Sequence, residues 1–249
     1  MRLAITRALS PRIAQCELTF LPRQPIDPAR AAAQHDVYER LLDAHGCTIV
    51  HVADVPELPD GVFVEDASIV TDDIAIITRP GAASRRGETE SVAVVLQRYR
   101  PLHRIEAPAT LDGGDVLVLN QKMYVGLSHR TNMAAVQQLD AVPIRFQNCL
   151  HLKSAVTAIG ENTLLLNPAW VDPKQFRGFE CISVHPSEPF AANALRIHDT
   201  ILYSASYPRT RRALEMRGFH IERVDVSELE KAEAGVTCCS LIFDAPAVV

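Results

Sequence analysis

The chain has 249 residues, 47% hydrophobic and 22% charged, which supplies a sizeable buried core and excludes a disordered chain. A formal charge of -5 excludes a basic face of the kind that tracks phosphates, so nucleic acid is not an expected partner. No segment approaches the length of apolar chain that spans a bilayer, and Arg2 and Arg7 interrupt the apolar residues of positions 1–10, so neither a membrane nor a secretory signal is expected.

The first predicted element is a strand at residues 3–6, followed by an irregular segment at 9–27 and a helix at 28–45 with Pro28 at its first position, where a missing N–H does no harm. Residues 62–80 then read as a hairpin around Thr71-Asp72-Asp73, with a helical period at 88–99. The pattern recurs at 114–126, turning at Asn120-Gln121-Lys122, with a helix at 131–140 and a returning strand at 142–146. A third hairpin at 155–166 turns at Gly160-Glu161-Asn162. A fourth at 194–204 turns at His198-Asp199 and leads into a helix at 208–217 capped by Gly218. The last strand is expected to run from Cys238 to Phe243 and has no second strand after it.

The polar residues at the front of these units, Asp66, Asp112, His151, Asn193 and Cys238, are separated by 46, 39, 42 and 45 residues. Such a period predicts a propeller-like or solenoid array in which one edge of each unit faces a common centre; an ordinary αβ domain with uneven hairpins is the alternative. The first and last strands both lack partners, and pairing them would close the ring and remove exposed sheet edges. One domain over residues 1–249 is expected.

Six cysteines without a CxxC pair predict a reducing, cytoplasmic setting. Cys238 and Cys239 are adjacent at the entry to a strand, where alternation sends them to opposite faces: one is a structural candidate and one a nucleophile candidate. A thiol attacks only when its thiolate is stabilised, and a cationic guanidinium substrate could supply that charge. His151 lies between Leu150 and Leu152 at an expected strand start, where a core histidine and a proton-transfer residue are both plausible. Asp112 precedes two glycines and could be a turn residue. Glu65 and Asp66 follow three apolar residues, so burial is expected, and a buried carboxylate needs a cation or donors. Arg85 and Arg130 occupy equivalent places after the second strands of two hairpins, and their planar forks suit a carboxylate ligand. Nine histidines without HExxH spacing, and the absence of GxGxxG or GxxxxGK[ST], give no metal, nucleotide or other cofactor expectation.

The segments LPDGVFVED (58–66), ITRPGAASRR (77–86), ATLDGGDV (109–116), VGLSHRTN (125–132), LHLKS (150–154) and TCCS (237–240) occur in order along nearly the whole chain. Together they resemble the dimethylarginine dimethylaminohydrolase family of the pentein, or α/β-propeller, group. The resemblance implies a five-bladed α/β-propeller of ββαβ-type repeats, and an enzyme that hydrolyses the guanidinium of methylated arginine to citrulline and an amine. It implies Cys238 as nucleophile, His151 as general acid and base, and Asp112 as the support of His151. It further implies that Asp66, Glu65 and Asp60 meet the substrate near its guanidinium and that Arg85 and Arg130 hold the α-carboxylate. Leu18 matches a lid position. Ala232 matches a backbone contact to the α-amino group, although Ala232-Glu233-Ala234-Gly235 departs from the family's usual pattern. The implied partner is a small-molecule substrate, with a homodimer compatible with the sequence. The alternatives are a related hydrolase such as an arginine deiminase, which usually carries an added helical insertion, and a non-catalytic module that binds arginine analogues and would not need both thiol and imidazole.

Overall fold

The computed structural model describes residues 1–245, so the last four residues of the expected domain, 246–249, lie outside the described residues. The strands form five separate three-stranded sheets. In four of them a hairpin supplies two antiparallel strands and the chain returns to add a third in parallel: Ser68–Val70, Ala75–Ile77 and Leu102–Arg104; Val116–Leu119, Lys122–Leu127 and Val142–Arg145; Val156–Ala158, Thr163–Leu166 and Glu180–Ser183; Ala194–Ile197, Thr200–Ser204 and His220–Val224.

The fifth sheet is made from both ends of the chain. Arg2–Thr6 pairs antiparallel with Leu241–Asp244 and parallel with Cys47–His51. The closure expected from the two unpaired end strands is therefore present, and it gives Arg2–Thr6 neighbours on both sides. Helices make the parallel returns: Pro28–Ala44, Thr89–Leu96, Met133–Gln138 and Pro208–Glu215. The sheet containing Thr163–Leu166 instead returns through the single 3-10 turn Pro173–Gln175.

Local chemistry explains several boundaries. The Asp27 carboxylate accepts the N–H groups of Ala29 and Arg30 ahead of Pro28, which caps donors the first helical turn cannot pair internally. The second hairpin turns on Asn120 and Gln121 alone, both with positive φ, the primed-turn geometry that matches strand twist. Lys122 already belongs to the next strand.

Strand alternation places the core between blades. Leu164 and Leu166 pack toward the Val116–Leu119 sheet, with Leu117 and Leu119, whereas Leu165 faces the next sheet, with Ile201 and Tyr203. Leu202 in turn joins Ala4 and the Pro28–Ala44 helix, while Leu3 and Ile5 on the other face meet Ala75 and Ile77. Ile69 and Ile76 complete the circuit against Val116 and Val125. Each middle strand is thus apolar on both faces, because each blade has a neighbour on either side.

Two local expectations are corrected. The last strand begins at Leu241, with residues 236–239 in a turn. The turn is closed by the Cys238 N–H on the Gly235 carbonyl and held by the Glu65 N–H on the Cys238 carbonyl. His151 does not start a strand but precedes a one-turn helix, Leu152–Ala155, whose first N–H is taken by the Asp115 carboxylate at 2.9 Å. Leu165→Ala, at a fully buried position between two blades, is expected to lower the unfolding free energy by roughly 2–5 kcal/mol, read from denaturant titration.

Candidate active site

At the centre of the ring His151 lies between two carboxylates from different blades. Its Nε2 is 3.1 Å from Asp112 Oδ2 and its Nδ1 is 3.6 Å from Asp66 Oδ1. All three residues are buried. Asp66 sits in a 3-10 turn, Val64–Ala67, just ahead of its strand, and Asp112 precedes the equivalent turn Gly113–Asp115. The two glycines are needed for contact rather than for a turn conformation. A Cβ on Gly113 would lie 2.0 Å from the Glu65 carbonyl oxygen, and one on Gly114 would lie 2.6 Å from His151 Nδ1 and 2.8 Å from Asp66 Oδ1. With no side chain there, the Gly114 N–H donates to Asp66 Oδ1 at 3.0 Å.

The electrostatics follow from this crowding. Burial disfavours the imidazolium, but Asp66, the Asp112 hydrogen bond and Asp115 outweigh it and raise the His151 pKa to about 9. Burial likewise opposes the Asp66 carboxylate, and His151 and Arg85 overcome it, holding Asp66 at about 2. Asp115 is pushed up to about 6 by burial, against the pull of His151 and of its hydroxyl donors. Near neutrality His151 is therefore protonated and Asp66 ionised.

Cys238 lines the same small cavity as His151, Asp60, Asp66, Arg85 and Arg130, with Glu17, Phe63, Leu150 and residues 232–234 completing its wall. Its Sγ accepts the Gly235 N–H at 3.3 Å. Burial, then Glu65 and Asp66, push the Cys238 thiol well above the usual thiol range. The thiol is consequently neutral until something cationic offsets those carboxylates. Cys239 is packed in the hydrophobic core, and burial raises its thiol pKa as well, so the vicinal pair divides into one cavity thiol and one core thiol.

The two arginines are not equivalent, despite their matching places in the repeats. The Arg85 Nη1 donates to Asp66 at 2.6 Å, while its Nε and Nη2 donate to Glu88. Arg130 is buried with its Nη1 lacking any hydrogen-bond partner, 3.5 Å from Asp112 Oδ2. A buried donor left unpaired is costly, and a ligand carboxylate would satisfy it.

Other expected residues fall differently. Asp60 and Ala232 line the cavity. Glu65 does not: its carboxylate takes Lys153 Nζ at 2.7 Å and Thr237 Oγ1 at 2.8 Å, and it lines a separate cavity. Leu18 also misses the wall and packs against the hydrophobic core, while its neighbour Glu17 takes the lining position. Asn193, the front of the fourth unit, braces the turn that carries Cys238. Its Nδ2 donates to Lys153 O and Thr237 Oγ1, and its Oδ1 accepts the Thr237 N–H.

Sequence spacing offered no metal site, yet Asp66, Asp112 and His151 bring ligand atoms within 4.8 Å of one another. Those atoms are already compensated by Arg85, Arg130 and the imidazolium. Glu88, Asp115 and Arg7 were not singled out from sequence. Arg85 and Glu88, three residues apart on one turn, carried the only local signal. The fully buried Arg7 holds the carbonyls of Gly61 and Glu88 from behind, and nothing near it in the chain marks that role.

The family model described as "N,N dimethylarginine dimethylhydrolase, eukaryotic" matches residues 22–172. A Streptomyces coelicolor protein named N(G),N(G)-dimethylarginine dimethylaminohydrolase is 39% identical over 249 residues, covering 96% of this chain and 95% of the relative. A Pseudomonas aeruginosa protein of the same name is 37% identical over 228 residues, covering 87% and 90%. The fold superposes with a TM-score of 0.91 on the solved structure of the P. aeruginosa enzyme, a cysteine-to-serine variant complexed with citrulline, at 35% identity over 96% of this chain and 98% of that one.

The raised His151 pKa is also a stability contribution. It is fully present below the ordinary histidine value of 6.5 and is lost as pH rises through about 9. Wild type is expected to exceed His151→Asn by an amount on the order of a few kcal/mol near pH 6, shrinking toward pH 10. Denaturant unfolding at pH 6, 8 and 10 measures the difference, and a constant gap would contradict it.

Proposed function

The chain belongs to the dimethylarginine dimethylaminohydrolase family, and from that membership and the cavity around Cys238 we propose the residue roles of a hydrolase acting on methylated arginine. The observation that carries the reading is one cavity lined by a thiol, a protonated imidazole, the carboxylates of Asp60 and Asp66 and an arginine with an unmet donor. That set matches an amino acid with a cationic side chain at one end and a carboxylate at the other. A module that merely bound such a ligand would not need both thiol and imidazole.

In this reading Asp66 and Asp60 face the substrate guanidinium, and Arg130 takes the α-carboxylate. Arg85 acts chiefly through Asp66, because its own donors are engaged there and on Glu88. The substrate cation offsets the carboxylates that keep the Cys238 thiol protonated, so the thiol gives its proton to solvent and the resulting thiolate attacks the guanidinium carbon, whose C–N π pair moves onto nitrogen. The His151 imidazolium then gives its proton to the departing methylamine or dimethylamine. A thiouronium bonded to Cys238 remains. Neutral His151 next removes a proton from water, whose oxygen adds to the same carbon; the carbon–sulfur bond breaks with its pair on sulfur, citrulline leaves, the imidazolium is restored and the Cys238 thiolate regains a proton from solvent. Asp112 keeps the ring oriented and favours its charged form throughout. No metal and no cofactor enters these steps.

The same proposal treats the chain as one propeller domain and places it in the cytoplasm, where six free cysteines stay reduced. No helix among the described residues is long and apolar enough to cross a membrane. A homodimer is the assembly proposed, and sedimentation reads it directly.

Turnover of asymmetric dimethylarginine and monomethylarginine, compared with free arginine, tests the substrate class: citrulline release should favour the methylated compounds, and preference for arginine would move the reading to a deiminase. Cys238→Ser is expected to lose turnover by about a thousandfold or more, in line with removal of a covalent nucleophile. Mass spectrometry of quenched wild-type enzyme should find the adduct mass on Cys238, and full activity in the serine variant would overturn the covalent route.

A further inference from the structure

We propose that Glu233 is a positioning residue that latches residues 17–21 over the catalytic cavity. The inference rests on the reading of that cavity as the catalytic site. The cavity is only about 10 Å³, room for about one water molecule, so an amino acid enters only if part of the wall moves. Residues 17–21 are the part built to move. They have no helix or strand, and Phe20 at their tip is largely exposed.

What holds them is a pair of carboxylates from distant parts of the chain. The Thr19 N–H donates to Glu233 Oε2 at 2.8 Å, and the N–H groups of Phe20 and Leu21 both donate to Glu233 Oε1. The Glu17 N–H donates to Asp60 at 3.1 Å. Four amides of a five-residue stretch are thus bound to two anionic groups that line the cavity. The base of the stretch is fixed separately, by Arg23 on the carbonyls of Ala14 and Cys16. Release at Glu233 therefore frees residues 19–21 while the hinge keeps its place.

Glu233 also sits at φ +60, a conformation uncommon for a residue with a side chain. It ends the turn closed by its own N–H on the Glu230 carbonyl, two residues before Gly235, whose N–H meets Cys238 Sγ. A short polar carboxylate aimed at three successive amides is a strong anchor that solvent can still compete for, which suits repeated opening.

The test is amide hydrogen exchange of residues 19–21 in wild type, Glu233→Ala, Glu233→Gln and Glu233→Gly, without substrate. Exchange should quicken about tenfold or more in the alanine and glycine variants, with the glutamine variant between them and wild type because one oxygen acceptor remains. Amides of Thr163–Leu166 should be unchanged, and the glycine variant, which suits a positive φ, guards against a folding defect. In the kinetics, the loss should fall on KM for the methylated arginine more than on kcat. Unchanged exchange at 19–21 overturns the latch whatever the activity. Failure of wild type to hydrolyse methylated arginine would instead defeat the functional reading, and the exchange result would stand apart from it.

Discussion

The imidazolium held between Asp66 and Asp112 is the contact on which the rest of the centre depends. Taking His151 out of water costs free energy unless its charge is matched closely, and each carboxylate has the same difficulty. Together they solve one another's problem, because the cation lies within 3.1 Å of one acid and 3.6 Å of the other. The approach is allowed only where Gly114 leaves out a Cβ. Arg85, Glu88 and Arg7 then extend the cluster outward through hydrogen bonds, and Arg130 adds its charge 3.5 Å from Asp112. Removing one partner leaves an uncompensated charge, so the cluster is cooperative by construction.

The propeller is what lets a chain assemble such a cluster. Asp66, Asp112 and His151 are far apart in sequence, but each stands at the axial end of a blade, and the blades face one another across a narrow centre. Apolar residues on both faces of each middle strand glue neighbouring blades together, so the axial ends cannot drift apart to relieve the crowding. Electrostatic strain that would unfold a loop is carried here by five hydrophobic interfaces. The fold's stability and the site's charge are linked in this way through packing rather than through any direct contact.

Much of this was legible in the residues because it depends on local patterns. The Asn120-Gln121 turn, the Pro28 helix start and the two unpaired end strands are signals a few residues long, and the structure follows them. The axial residues were legible because a repeat puts equivalent positions in equivalent places. Where the reading slipped, the deciding partner was remote. His151 precedes a helical turn because Asp115 takes the N–H of Leu152, 37 residues further along the chain. Glu65 is engaged by Lys153, separated by 88 residues, a pairing that no local pattern marks. Leu18 yields its place to Glu17 because an irregular segment has no period to fix its facing. No window of sequence contains these choices.

The neutral thiol follows from the same principle that makes the cluster stable. A buried centre rich in carboxylates holds an imidazolium well and a thiolate badly: burial first, then Glu65 and Asp66, oppose ionisation of Cys238, and the Gly235 N–H favours it. A permanently ionised cysteine would need a cation standing beside it, and the fixed cations here are already committed to acids. A neutral thiol is therefore the state this centre favours on its own, and only added positive charge beside those carboxylates would shift it. Stability of the empty centre and the protonated state of its thiol are one electrostatic fact seen from two sides.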